Sequence, residues 1–207
     1  MKQKLIEYWL SSGIIKDKKL IKAFQEIPRE NFVDNSYLDE AYGDYPLPIG
    51  MGQTISQPTT VMIMIKAMEL KPTDKVLEVG AGSGYCAAIM SKLAKKVITT
   101  EIIPELAEFA KKNMEKNKIR NVEVIEYDGS QGYKKEMPYD KIMITAACPS
   151  IPKPLTEQLK ENGIIIAPIG GFFDQTMVKG IKKKGKIETY SLGYFRFVPL
   201  KGKYGYK

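Results

Sequence analysis

Several short stretches of this chain carry residue types at spacings that could do chemistry: GQTISQP at 52–58, LEVGAGSGY at 77–85, Glu101 closing KVITTE, and YDG at 127–129. In the second, Gly80, Gly82 and Gly84 stand two apart just after Glu78, with Ala81 between the first pair. A turn of this composition lets backbone N–H groups approach a ligand closely at the mouth of a helix. Glu101 lies roughly 20 residues past Gly80, where an acidic side chain can accept hydrogen bonds from both hydroxyls of a ribose. Asp128 and Gly129 end the following strand, in reach of a base edge. Each piece alone reads equally well as a surface or capping residue. Set at the ends of consecutive strands, they describe a nucleoside-binding crevice.

GQTISQP, directly ahead of the apolar run VMIMIKAMEL, has two readings. Ser56 can be the N-cap of a helix whose first turn holds Pro58. It can also belong to a site, because a helix mouth presents free N–H groups and a partial positive charge that favour a carboxylate. The two are compatible.

The elements that must position these residues follow from periodicity and breakers. KLIEYWLSSG ends on Gly13, and DKKLIKAFQEIP runs from a capping Asp17 to Pro28, so the N-terminal segment reads as a helical appendage. Pro46, Pro48, Gly50 and Gly52 mark a loop, and Gln57 to Leu70 carries helix-spaced apolar residues. From Lys75 the chain alternates: strand KVLEVG, helix YCAAIMSKLA, strand KVITTE, helix PELAEFAKKNMEKN, strands NVEVIEYD and YDKIMITAA, helix PLTEQLKENG, strand IIIAPIG. Such alternation predicts βαβ units and a mostly parallel sheet. The tail QTMVKGIKKKGKIETYSLG predicts an antiparallel pair turning at KKKGK, with Lys182 to Lys184 at a solvated hairpin tip. The fold class is therefore α/β, Rossmann-like.

Composition narrows the function. With 207 residues, 43% hydrophobic and 27% charged, the chain reads as an ordinary globular protein. No apolar run approaches the roughly 18 residues of a membrane span, and the N-terminus has no long apolar stretch with a cleavage site, so a cytoplasmic protein without membrane partners is expected. Cys86 and Cys148 show no CxxC spacing and there is no histidine, so no metal site is expected and both read as reduced structural thiols. The net charge of +8 could attract nucleic acid, but apart from Arg29, Arg120 and Arg196 its cations are lysines spread along the chain, the pattern of a solvated surface. Trp9, Tyr42 and Tyr45 read as core or interface aromatics, and Met62, Met64 and Met68 as helix packing.

The glycine spacing decides between ligands. A dinucleotide fingerprint, GxGxxG, would place its third glycine at 85, which is Tyr85. The sequence instead runs E-x-G-x-G-x-G, which resembles the first motif of S-adenosylmethionine-dependent methyltransferases. A sulfonium methyl is already activated, so such an enzyme mainly has to align an acceptor and exclude water. ITAACPSIP, after the fourth strand, lacks the (N/D)PPY turn of enzymes that methylate amide or adenine nitrogens. An alcohol would want a base, most commonly histidine; an α-carboxylate, with a pKa of roughly 3.5, needs none. Asp, Glu, Tyr or Lys remain available as a base, so this argument favours a carboxylate without requiring it.

AYGDYPLPIGMGQTISQP, LEVGAGSGY, YDG and FRFVPL together resemble the protein-L-isoaspartate (D-aspartate) O-methyltransferase family along nearly the whole chain, from IPRENFV at 27–33 onward. The resemblance implies one methyltransferase domain over 1–207: an N-terminal helical appendage and substrate loop at 1–56, and a Rossmann-like core with C-terminal hairpin at 57–207. It implies S-adenosyl-L-methionine as methyl donor and isoaspartyl residues of damaged proteins and peptides as partners, with no nucleic acid. It assigns Ser56 to catalysis, and the donor to Thr54, Glu78, Gly80, Ala81, Gly82, Gly84, Glu101, Ile102, Asp128 and Gly129. Ile55, Val198 and Leu200 fall to the substrate. TAACPSIP departs from the family's GAA-x-x-x-IP, with Thr145 at a common glycine. A nucleic-acid methyltransferase and a non-catalytic protein-binding module are the alternatives; the intact glycine loop, Glu101 and Ser56 argue against the second.

Overall fold

The computed structural model describes residues 1–206. Helix α1 (Lys2–Ser12) stops at Gly13, whose φ of 75° suits a left-handed C-cap. Helix α2 (Lys18–Glu26) starts as expected at Asp17, whose carboxylate accepts from the N–H groups of Lys19 and Leu20. Two short 3-10 turns, Arg29–Phe32 and Asn35–Glu40, lead into strands β1 (Leu47–Gly50) and β2 (Gln53–Ile55), an antiparallel pair. The sequence reading has a loop here. Pro48 is tolerated because this two-stranded sheet is all edge, and Met51 and Gly52, at φ 52° and 70°, supply the consecutive left-handed residues of a tight hairpin.

Helix α3 (Pro58–Met68) is followed by β3 (Lys75–Val79), α4 (Tyr85–Ser91), β4 (Lys96–Glu101), α5 (Pro104–Lys116), β5 (Val122–Glu126) and β6 (Tyr139–Ile144). Then come α6 (Lys153–Gln158), β7 (Leu159–Gly170), β8 (Gln175–Lys183) and β9 (Lys186–Phe195). The main sheet is ordered β5-β4-β3-β6-β7-β8-β9, parallel from β5 to β7 and antiparallel from β7 to β9; the mostly parallel sheet and the antiparallel last pair are as the pattern predicts. Lys184 and Gly185, at φ 51° and 76°, make the turn of the last hairpin.

Alternation along the strands divides the core between the sheet's two faces. Val76, Met143, Ile164 and Ile166 join the helices α1 to α5 in one hydrophobic cluster. Leu77, Ile142, Ile144 and Ile165 face the other way, against Leu155 of α6 and Leu200 of the tail. The N-terminal helices belong to the first cluster: Trp9 is fully buried with its ring 4.8 Å from that of Phe24, and its indole N–H donates to Thr59 Oγ1 of α3 at 2.7 Å.

The expected helix over PLTEQLKENG is half strand. Helix α6 ends at Gln158 and β7 begins at Leu159, which pairs with Tyr139. The ammonium of Lys182 donates to the carbonyls of Thr156 and Leu159 at 2.7 and 2.8 Å, so a cation from β8 captures carbonyls at the helix end. Among the described residues no helix is long and apolar enough to cross a membrane.

Candidate active site

The sheet order reverses between β3 and β6, and the crevice outside the carboxyl ends of β3, β4 and β6 is where open α/β sheets bind ligands. An open cleft lies there. Its floor is the glycine loop. The N–H groups of Gly80 and Ala81 both donate to Thr100 O, at 2.9 and 3.0 Å, which folds the loop back over β4. Gly80 sits at φ 97°, and a Cβ there would lie 2.5 Å from Thr145 Oγ1. Gly84 does not line the cleft: it starts α4, and a Cβ on it would meet Met114 Cε of α5 at 2.6 Å. That glycine serves helix packing.

Glu78, Gly80, Ala81, Gly82, Glu101, Ile102 and Gly129 all line the cleft. Glu78 is fully buried; one carboxyl oxygen accepts from Thr99 Oγ1 at 2.6 Å, and the other has no partner among the described residues. Burial pushes its carboxyl up to about 8, with the nearby Glu101 carboxylate adding to the shift and the hydrogen bond from Thr99 opposing it. A buried carboxyl with a bare oxygen in a cleft suits a cationic group that replaces the missing partner. Glu101 is fixed on both oxygens, Oε2 by Gly82 N–H at 2.9 Å and Oε1 by Ile103 N–H at 3.0 Å. Each carboxylate oxygen has a further lone pair, so Glu101 can still accept from vicinal hydroxyls.

Asp128 is placed otherwise than its neighbour Gly129. Its Oδ1 accepts from the N–H and hydroxyl of Ser130, at 3.0 and 2.6 Å, and its Oδ2 from Gln131 Nε2 and Lys203 N–H, at 3.1 and 2.9 Å. The carboxylate thus ties the turn after β5 to the C-terminal tail and does not line the cleft.

Thr54, Ile55 and Ser56 bring the carboxyl end of β2, away from the hairpin turn, to the cleft. Gln57 occupies the N-cap position of α3 without a side-chain bond, and Pro58 takes the first turn as expected. The capping is done by Asp44, which accepts from Thr59 N–H at 3.0 Å and from Thr59 Oγ1 at 2.7 Å. Ser56 is therefore not the cap. Its hydroxyl makes no hydrogen bond to the described residues, and Ser56 lines the cleft.

Val198 and Leu200 close the opposite side. The tail is strapped beside the end of β6: Ala147 N–H donates to Val198 O at 2.8 Å and Leu200 N–H to Ala147 O at 2.7 Å. A second groove of about 340 Å³ opens beyond, lined by Pro46, Gln57, Thr60, Arg196 and Phe197. It shares Thr54, Ser56, Thr145 and Val198 with the large cleft. Sequence reasoning singled out neither Arg196 nor Thr145 for the site. Thr145 had a signal, since it follows β6, the strand beside β3 at the point where the sheet order reverses. Arg196 had only its place in FRFVPL.

One cleft with an acidic, glycine-lined floor thus meets a second groove at the Ser56 hydroxyl, as a group-transfer enzyme with two substrates requires. A profile of the family described as protein-L-isoaspartate(D-aspartate) O-methyltransferase matches residues 1–205. The protein-L-isoaspartate O-methyltransferase of Methanoculleus marisnigri is 43% identical over 206 residues, spanning 100% of this chain and 94% of the relative. Protein-L-isoaspartate O-methyltransferase 2 of Archaeoglobus fulgidus is 49% identical over 193 residues, 92% of this chain and 88% of the relative. A Plasmodium falciparum protein assigned as a protein-L-isoaspartate O-methyltransferase, crystallised with S-adenosyl-L-homocysteine, superposes with a TM-score of 0.85 at 28% identity, covering 97% of this chain and 98% of that one. Motifs, sheet order and whole-length identity agree, and the chain belongs to the protein-L-isoaspartate(D-aspartate) O-methyltransferase family.

Proposed function

We propose that this protein transfers the methyl group of S-adenosyl-L-methionine to the free α-carboxylate of L-isoaspartyl and D-aspartyl residues in damaged proteins of the cytoplasm, with Ser56 as the residue that receives the carboxylate. The donor supplies an activated methyl on a sulfonium; a carboxylate oxygen attacks it, the carbon–sulfur bond breaks, and S-adenosyl-L-homocysteine leaves as a neutral thioether. No proton moves in that step. The chain contains no histidine, and a carboxylate acceptor is the kind that needs no general base. Glu101 takes the ribose hydroxyls in this reading, Glu78 faces the donor's amino-acid end, and the loop at Gly80, Ala81 and Gly82 with Thr54, Ile102 and Gly129 surrounds the rest. Gly84 and Asp128 act from behind, one through helix packing and the other by holding Gly129 and the tail. Ile55, Val198 and Leu200 flank the acceptor, which enters through the groove at Arg196.

The observation that carries the reading is the Ser56 hydroxyl, free of the capping duty that Asp44 performs and common to the cleft and the groove. The test is transfer of labelled methyl to an isoaspartyl peptide, with the aspartyl peptide and RNA as controls. Base-labile label on the isoaspartyl peptide alone is expected, and label on RNA would overturn the reading. A hydroxyl-to-carboxylate hydrogen bond contributes about 1.5–3 kcal/mol, so Ser56→Ala should cut turnover roughly 10- to 100-fold while leaving S-adenosyl-L-homocysteine affinity unchanged.

A further inference from the structure

The cleft and the groove share four lining residues, Thr54, Ser56, Thr145 and Val198, so the boundary between them is made of these residues. If the proposed function holds, the methyl group crosses at this boundary. Its three hydroxyls are not equivalent. Those of Thr54 and Ser56 bond to none of the described residues, whereas Thr145 Oγ1 lies 2.5 Å from Gly80 O and 3.0 Å from Val79 O. A hydroxyl has one proton to donate, and the shorter contact directs it to Gly80. The backbone N–H of Thr145 also donates to Val79 O at 3.0 Å, so backbone and side chain of one residue clamp the end of β3. The clamp is fitted to a glycine, since a Cβ at position 80 would come within 2.5 Å of the same oxygen.

We propose that Thr145 is a positioning residue for methyl transfer. It pins the carbonyl of Gly80, where the donor loop begins, and forms the fixed part of the boundary against which Ser56 and the acceptor are aligned. Transfer from an activated donor depends chiefly on alignment, and a misplacement of about 1 Å can cost about 100-fold in rate. Loosening this boundary therefore acts on kcat more than on the binding of either partner. Thr145→Ala removes the hydroxyl and leaves the Gly80 carbonyl without its side-chain donor. Thr145→Val puts a methyl where the oxygen sits, closer to Gly80 O than the roughly 3.3 Å that a carbon–oxygen contact requires, so the donor loop must move. Thr145→Ser keeps the donor.

The experiment compares these variants for kcat and KM with an isoaspartyl peptide, S-adenosyl-L-homocysteine affinity by calorimetry, and melting temperature. The serine variant should stay within about threefold of the parent in every quantity. The alanine variant should lose about tenfold in kcat, at temperatures well below its melting point, with KM and S-adenosyl-L-homocysteine affinity within about threefold. The valine variant should lose S-adenosyl-L-homocysteine affinity as well. Parental kcat in the alanine variant, or a serine variant as impaired as alanine, would overturn the assignment. If the parent itself fails to methylate the isoaspartyl peptide, the functional reading falls; weaker S-adenosyl-L-homocysteine binding in the valine variant than in the serine variant still supports the pin, and equal binding removes it.

Discussion

Glu78 is held in a state that a cationic ligand would reverse. Burial, with the Glu101 carboxylate nearby, raises its carboxyl to about 8, which favours the neutral acid there at pH 7. A carboxyl with a raised folded-state pKa binds its proton more tightly folded than unfolded. Its contribution to stability is fully present below the ordinary carboxyl value of 4.5 and is lost as pH rises through about 8. The donor carries an ammonium and a sulfonium, and placing positive charge beside Glu78 favours the ionised form. Donor binding at pH 7 should therefore expel a proton, and affinity should rise with pH up to about 8 and then level. Calorimetric titration in two buffers of different ionisation heat reads that proton directly. The signal should be present in the parent and gone in Glu78→Gln; equal apparent enthalpies in the two buffers with the parent would remove Glu78 from the donor's charge balance. Asp44 is the counterpart at this scale that local sequence could not identify, because it acts on a partner, Thr59, brought near only by the fold.

At the scale of elements, the strands and helices from Lys75 to Glu126 were legible because their apolar periods are complete within each segment, and breakers punctuate them. The errors fall where a distant partner decides. The hairpin β1-β2 hides behind prolines that an edge tolerates, and the end of α6 is set by Lys182, which comes from β8. The start of α3 has the same character. The local reading offered Ser56 as a possible cap, whereas Asp44 holds Thr59, and the hydroxyl that donates to Asp44 in turn accepts from the Trp9 indole of α1. This chain of bonds fastens the N-terminal helices to the mouth of α3, two residues beyond Ser56. Asp44→Ala takes away both acceptors; loss of a helix cap costs about 1–2 kcal/mol. The expected drop in melting temperature is roughly 2–8 °C, and kcat should fall with it because the Ser56 turn loses its anchor. Thr59→Val, which keeps the N–H bond to Asp44 but loses the hydroxyl link to Trp9, should cost stability with a smaller loss of kcat. Equal kcat losses in the two variants would mean that the cap does not govern Ser56.

Across the whole molecule, the tail after β9 is the piece that joins the carboxyl ends of the strands into one enclosure. Phe197 N–H donates to Gln175 Oε1 where β8 starts, Leu200 and Val198 bracket Ala147 after β6, and Tyr206 OH donates to Gly170 O at the end of β7. Lys203 N–H reaches Asp128 after β5. Four strands are thus tied at one rim by a segment without regular structure, and Val198 and Leu200, which line the cleft, are held by those ties. Asp128 is the tie on the donor side, so its replacement tests whether the rim works as a unit. Asp128→Ala strands the Ser130 N–H, Gln131 Nε2 and Lys203 N–H and frees the Ser130 hydroxyl, which now accepts only from Tyr204 N–H at 3.0 Å. Hydrogen bonds to a charged group contribute about 1.5–3 kcal/mol, which sets an expected fall in melting temperature of roughly 3–10 °C. Trypsin should then cut at Lys201 or Lys203 faster than in the parent, and KM for the isoaspartyl peptide should rise about three- to tenfold as Val198 and Leu200 lose their hold. Added S-adenosyl-L-homocysteine should slow that cleavage in both proteins, because Gly129 and Leu200 line the same cleft. A variant whose tail resists trypsin as the parent does, yet whose peptide KM has risen, would place the role of Asp128 in the site itself and not in the strap.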